Sequence, residues 1–198
     1  MILSSPFEAF NRYEDARGLP RDLIRRVNAT DPDANAWALL ERSEISPDDF
    51  DALFAAESER LGHRIPGADV LALLAGDVRP RMVAALDAVI AAGYVTACLT
   101  NNIVSRAPAR DDRSAEVAAV MARFHHVVES SKVGVRKPER EFYEIACRTA
   151  GVEASRCVFL DDLGVNLKPA AAMGMHTIKV VDPDSALAEL SAVLSLDL

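Results

Sequence analysis

Cys157-Val158-Phe159-Leu160-Asp161-Asp162-Leu163-Gly164-Val165-Asn166 is the stretch that decides the fold of this chain. Its first four residues read as a strand that is apolar on both faces, the pattern of a parallel sheet covered by helices on either side. Two carboxylates follow at once. Acidic groups placed at the carboxyl edge of a buried strand are costly unless a cation neutralises them. An aspartate cap on the next helix accounts for one of the pair but not for both. Oxygen ligands supplied by few side chains suit Mg²⁺, which keeps waters and leaves positions for phosphate oxygens.

Outward from this stretch, helix and strand alternate. Downstream, Asn166–Met173 reads as a helix, His176–Val181 as a strand and Asp184–Leu194 as a closing helix. Upstream lie a helix over Pro138–Ala150 ended by Gly151, a short strand at Val127-Val128 and a helix over Ser114–Phe124. Before them come the apolar strand Tyr94–Leu99 and the helix Arg79–Ala92, ended by Gly93. This order predicts a doubly wound α/β core with a parallel, Rossmann-like sheet.

Ligands of such folds bind at the carboxyl ends of the strands. Besides Asp161-Asp162, two such points are polar in a coherent way. Leu99-Thr100-Asn101-Asn102 offers a hydroxyl, an amide and backbone N–H groups, either for a phosphate oxygen or for capping a local turn. Val133-Gly134-Val135-Arg136-Lys137-Pro138 sets a lysine before a helix start. Its ammonium either faces solvent or reaches across the strand ends to offset negative charge.

The first third of the chain has a different texture, with helical signals only. Ser5-Pro6-Phe7-Glu8 reads as a capping box with proline at the first helical position, and Gly18 stops that helix. Arg21–Val27, Ala34–Arg42 and Pro66–Leu74 read as short helices. Ser46-Pro47-Asp48-Asp49 opens another, with Phe50, Leu53, Phe54 and Leu61 as its apolar stripe. Trp37, Phe50 and Phe54 are expected to form a core of this region's own. Residues 1–77 are thus expected to be a helical insertion over an α/β core of residues 78–198, with a charged loop at Arg106–Arg113.

Composition narrows the classes. Of 198 residues half are apolar, and 22 basic against 30 acidic side chains give a net charge of −8. Fibrous and disordered classes are excluded by the apolar fraction and the modest glycine and proline content. Nucleic acid and anionic membranes are disfavoured as partners, because Lys and Arg form no run. Cys98, Cys147 and Cys157 show no C-x-x-C spacing, so neither a disulfide framework nor a zinc knuckle is indicated. His63, His125, His126 and His176 show no metal spacing and are expected at surface or loop positions. The N-terminal stretch does not read as a signal peptide, and the apolar window Met82–Leu99 is broken by Asp87 and Gly93. A cytoplasmic protein is expected.

Taken together, ACLTNN, ESSKVGVRKPE and VFLDDLGVNLKPAAAMGM resemble, in order, the second, third and fourth motifs of the haloacid dehalogenase (HAD)-like hydrolases. The resemblance is to the phosphatase branch that includes the N-terminal domain of soluble epoxide hydrolase. It extends over Arg79–Leu198, and the helical stretch resembles the cap inserted after the first strand of such enzymes, which usually supplies substrate selectivity. The resemblance implies Mg²⁺-dependent hydrolysis of a small phosphate ester through an aspartyl-phosphate. Thr100 and Asn101 would then bind the phosphoryl group, and Lys137 would stabilise it together with the nucleophile. Asp162 would be the direct metal ligand, with Asp161 a ligand or its immediate support. Dehalogenases of the superfamily need no metal and carry Ser-Asn type residues at the fourth motif, so the paired aspartates favour the phosphatase branch.

The family's first motif, an apolar strand followed by D-x-D or D-x-G, has no counterpart before the helical stretch. Met1-Ile2-Leu3-Ser4-Ser5-Pro6 enters that pattern at its last three residues. The nucleophile is therefore expected upstream of Met1, with Met1 standing at a valine of the motif. The family sets that strand between those ending at Leu99 and Leu160, and its omission would leave a gap of roughly 9–10 Å. The alternative is a catalytically inactive phosphate- and metal-binding or scaffold protein, its gap closed by a partner, by rearrangement or by Met1–Leu3.

Overall fold

The computed structural model describes residues 2–3, 5–74, 76–102 and 112–198, and only the backbone of 112–114. Five helices come first: α1 (Phe7–Ala16), α2 (Leu23–Ala29), α3 (Ala36–Glu41), α4 (Pro47–Arg60) and α5 (Gly67–Ala72). Their apolar faces meet in one cluster around Phe10, Leu23, Ile24, Phe50, Phe54 and Ile65. Trp37 packs edge-on against Phe50 with ring centroids 5.2 Å apart, so this region has its own core as expected.

Local chemistry explains where these helices begin. Ser46 and Asp49 close a reciprocal capping box on α4, and Pro47 occupies the first turn. Asp22, before α2, has φ 61° and gives no side-chain cap. Glu14 of α1, fully buried, substitutes by accepting the Asp22 and Ile24 N–H groups at 2.8 Å each. Two expectations need correction. The box at Ser5–Glu8 does not close: Ser5 Oγ accepts the Phe7 N–H at 3.4 Å, but Glu8 reaches Arg12 instead of returning a bond. On α4 the buried face runs Phe50–Phe54–Ser58, leaving Leu53 and Leu61 exposed. Buried Ser58 lies there because its Oγ accepts the Ile65 N–H at 2.9 Å.

The α/β part follows as α6 (Pro80–Ala91), β1 (Ala97–Thr100), α7 (Asp112–Met121), β2 (His126–Glu129), α8 (Ser130–Val133) and α9 (Arg140–Ala150). After a 3-10 turn come β3 (Val158–Asp161), α10 (Gly164–Ala172), β4 (His176–Lys179) and α11 (Pro183–Leu194). The loop expected at Arg106–Arg113 lies outside the described residues except for its last two, which begin α7. Pro138 precedes α9 rather than opening it.

Among the described residues the parallel strands form two pairs. β1 pairs with β2 from Ala97↔His126 to Thr100↔Glu129, and β3 with β4 from Val158↔His176 to Asp161↔Lys179. No ladder joins β1 to β3. Ile2 and Leu3 turn to the segment before α6, through an isolated antiparallel Leu3↔Val78 bridge and an Arg79 N–H donated to the Ile2 carbonyl. They therefore do not extend either ladder.

Side-chain packing joins the two strand pairs. Cys157 and Phe159 point to a cluster with Leu99, Val128 and the α9 residues Phe142 and Tyr143. Val158 and Leu160 point the other way, to Met82, Ile178 and the α11 residues Leu187 and Leu190. This is the two-residue alternation of a strand between helical layers. Val158, Phe159 and Leu160 are only partly buried, whereas the sequence suggests full burial, because β3 has a hydrogen-bonded neighbour on one side only.

Candidate active site

Both ladders end on the polar residues singled out in the sequence. Thr100 is the last residue of β1 and Asp161 the last of β3, so each strand runs one residue past the end expected at Leu99 and Leu160. Asp161 is almost fully buried, and each of its two oxygens faces at least one protein donor. Its Oδ2 accepts from Lys137 Nζ at 2.8 Å, while Oδ1 accepts the Leu163 N–H at 2.9 Å and Asn166 Nδ2 at 3.0 Å. Lys137 arrives from the loop between α8 and α9, and its ammonium also lies 5.8 Å from the Phe159 ring centroid. The side chains of this ion pair are 13% and 5% exposed, so its charges interact with little screening. Tyr143, fully buried beneath, donates to the Asn166 carbonyl at 2.7 Å. Burial, and secondarily the Asp161 charge, pushes its phenol up.

Asn101 pairs with Lys137 as one strand pairs with another. Its Oδ1 accepts the Lys137 N–H at 2.9 Å and its Nδ2 donates to the Lys137 carbonyl at 3.0 Å. The amide thus fixes the lysine's backbone, and only the Asn101 main chain remains to meet an anion. Asn102 makes a similar tie to the neighbouring strand end, accepting from the Ser131 N–H and Oγ and donating to Glu129 Oε1 at 3.0 Å. Thr100 Oγ1 and the Asp162 carboxylate make no side-chain hydrogen bond with the described residues, and both are half-buried at the strand ends.

Hydrogen bonds join Asn101, Lys137 and Asp161, and Thr100 and Asp162 are their neighbours in sequence at the strand ends. Asp161 anchors Lys137, whereas Asp162 carries the free oxygens. Mg²⁺ commonly takes one or two carboxylates and fills its octahedron with water and phosphate oxygens. Free Asp162 fits such a sparse donor set, although no group of three His, Cys, Asp or Glu side chains among the described residues could hold a metal.

Three participants escape a motif reading. Asn166 and Ser131 are i+5 and i+29 partners whose polar atoms face the strand ends only after folding. Glu41 reaches Asn101 from the helical region, 60 positions away.

A family model for hydrolases, haloacid dehalogenase-like hydrolase, matches residues 7–174. The chain belongs to this family of hydrolases, and phosphatases are among its relatives. Bifunctional epoxide hydrolase 2 of Mus musculus is 31% identical over 203 residues, covering 98% of this chain and 37% of that protein. Acyl-CoA dehydrogenase family member 10 of Mus musculus is also 31% identical, over 100% of this chain and 18% of its own length. The chain thus spans well under half of either relative. Sesquiterpene phosphatase of Aspergillus oryzae is 29% identical, over 91% of this chain and 88% of its own.

Solved structures agree on the fold. A HAD-like family hydrolase from Porphyromonas gingivalis aligns with TM-score 0.63 at 16% identity, over 94% and 92% of the two chains. A HAD family enzyme from Bacteroides thetaiotaomicron, solved with magnesium and inorganic phosphate, aligns with TM-score 0.55 at 18% identity over 92% and 87%. Among the described residues, no helix is long and apolar enough to cross a membrane.

Proposed function

We propose that this protein takes part in Mg²⁺-dependent hydrolysis of a small phosphate ester through an aspartyl-phosphate. The observation that carries the reading is the buried Lys137–Asp161 pair beside the free Asp162 carboxylate and Thr100 hydroxyl. A lysine held by a carboxylate at its back is a fixed positive charge, ready for a phosphoryl group without reorganisation. Thr100 Oγ1 and main-chain N–H groups at the end of β1 would donate to the equatorial oxygens. Asp162 would hold the Mg²⁺, which supplies charge neutralisation on the phosphoryl oxygens when bound. The phosphatase among the relatives and the magnesium–phosphate complex of a fold neighbour support the same chemistry.

Asp161 is a poor nucleophile, since each of its oxygens already accepts from a donor. The reading therefore leaves attack on phosphorus to a carboxylate other than Asp161, in the role of the family's first motif. Attack by an oxygen of that carboxylate would form the acyl-phosphate and release the alcohol, and water would then return the carboxylate and free phosphate. The test is an aryl phosphate assay with Mg²⁺ on this chain and on one extended upstream. Hydrolysis by the extended form alone supports the reading. Phosphate binding without hydrolysis by either form would favour a non-catalytic binding protein, and enzymatic turnover by the 198-residue chain would place the nucleophile within it.

A further inference from the structure

We propose that Glu41, on the helical region, is a positioning residue for the site: its carboxylate holds the Asn101 amide that fixes Lys137, so docking of the helices and assembly of the anion site are one event. The carboxylate is 10% exposed and every contact points to the strand ends or to its own helix. Oε2 accepts from Arg136 Nε at 2.5 Å and from Asn101 Nδ2 at 3.1 Å, and Oε1 accepts from Trp37 Nε1 at 3.0 Å. Arg136, the residue before Lys137, also donates through Nη1 to the Pro32 carbonyl at 2.9 Å. Two consecutive residues of the lysine loop are thus gripped from outside the α/β part, Arg136 directly and Lys137 through Asn101.

A continuous chain results: Trp37 to Glu41, Glu41 to Asn101, Asn101 to the Lys137 backbone, and Lys137 Nζ to Asp161. An amide has two donors and one acceptor oxygen. Asn101 uses its carbonyl and both N–H directions here: the Lys137 carbonyl takes one N–H and Glu41 the other, and together they keep the amide oriented with its oxygen toward the Lys137 N–H. Without the Glu41 acceptor one buried N–H of the amide is unpaired and only the Lys137 carbonyl orients it, so the bond to the Lys137 N–H is held less firmly. A buried carboxylate shared by Arg136 and Asn101 is therefore an orientation device rather than a surface ion pair. Lesser contacts run alongside, from Arg42 to Glu139 and from Ser43 Oγ to the Ser131 carbonyl. Neither touches Asn101 or Lys137.

The inference rests on the reading of Lys137 and Asn101 as the phosphoryl site, and its test uses one readout that does not depend on it. In the full chain, Glu41→Ala, Glu41→Gln and Phe54→Leu are compared by amide hydrogen exchange and by calorimetric binding of inorganic phosphate. Phe54→Leu loosens the helical core without touching the chain of bonds. Protection of the Lys137 N–H is expected to fall tenfold or more in Glu41→Ala, less in Glu41→Gln, and to remain in Phe54→Leu. Phosphate affinity is expected to fall in the same order. If Glu41→Ala is folded and retains Lys137 protection, the positioning role is overturned. If Glu41→Ala does not fold, Glu41→Gln decides by the same protection. If the unaltered chain binds no phosphate while Lys137 protection still depends on Glu41, the phosphoryl reading fails and the positioning role stands.

Discussion

The helical region and the α/β region bury apolar surface in contrasting ways. The former gathers five helices around a single cluster, and its buried polar side chains other than Glu41 serve neighbouring backbone, as Glu14 serves α2 and Ser58 serves Ile65. In the latter, two strand pairs with no ladder between them are joined by side chains, through α9 below and the Lys137–Asp161 pair at the strand ends. Polar groups in one region complete helices, whereas in the other they tie the strand ends to the lysine loop.

The contrast breaks most severely at the lysine. Lys137→Met leaves Asp161 buried with an unmatched charge, a loss on the order of 3–5 kcal/mol in urea unfolding, and should abolish phosphate binding. Retained binding would remove Lys137 from the site. Glu14→Ala tests the helical region alone. Two buried N–H groups lose their acceptor, so unfolding should shift by about 1–3 kcal/mol while phosphate binding is unchanged. A shift in affinity would mean that the two regions are more strongly linked than their separate clusters indicate.

The smallest effect lies at the contact between regions. Burial pushes the Glu41 carboxyl above the usual glutamate range, with Arg136 as the main opposing influence. The folded chain then holds this proton more readily than the unfolded chain. The contribution of Glu41 to stability is greatest below the ordinary glutamate pKa and declines as pH rises through the raised value. Trp37, the single tryptophan, is bonded to this carboxylate, so its emission should titrate with a midpoint above the ordinary value. Arg136→Met should move that midpoint upward. A midpoint within the usual glutamate range would show that Arg136 outweighs burial.

Much of this was legible in the sequence, because apolar runs broken by turn residues mark strand ends, and Thr100, Lys137 and Asp161-Asp162 stand at or near them. The resemblance gave the two aspartates different roles but left Asp161 as ligand or support, and only the arriving Lys137 shows that Asp161 is the carboxylate it neutralises. Glu41 was equally hidden, since nothing within a helix of six residues announces a partner 95 positions away. The half-made box at Ser5 is local in cause: its hydroxyl accepts the Phe7 N–H, while Glu8 turns to Arg12 and leaves the reciprocal bond unmade.

The alternation along β3 also limits how this chain can change through evolution. Substitutions there can be absorbed one face at a time, since Phe159 and Leu160 answer to different clusters. A single inserted or deleted residue cannot. It would exchange the two faces at once and turn Asp161 away from Lys137, so the length of this four-residue strand is under stronger constraint than its composition.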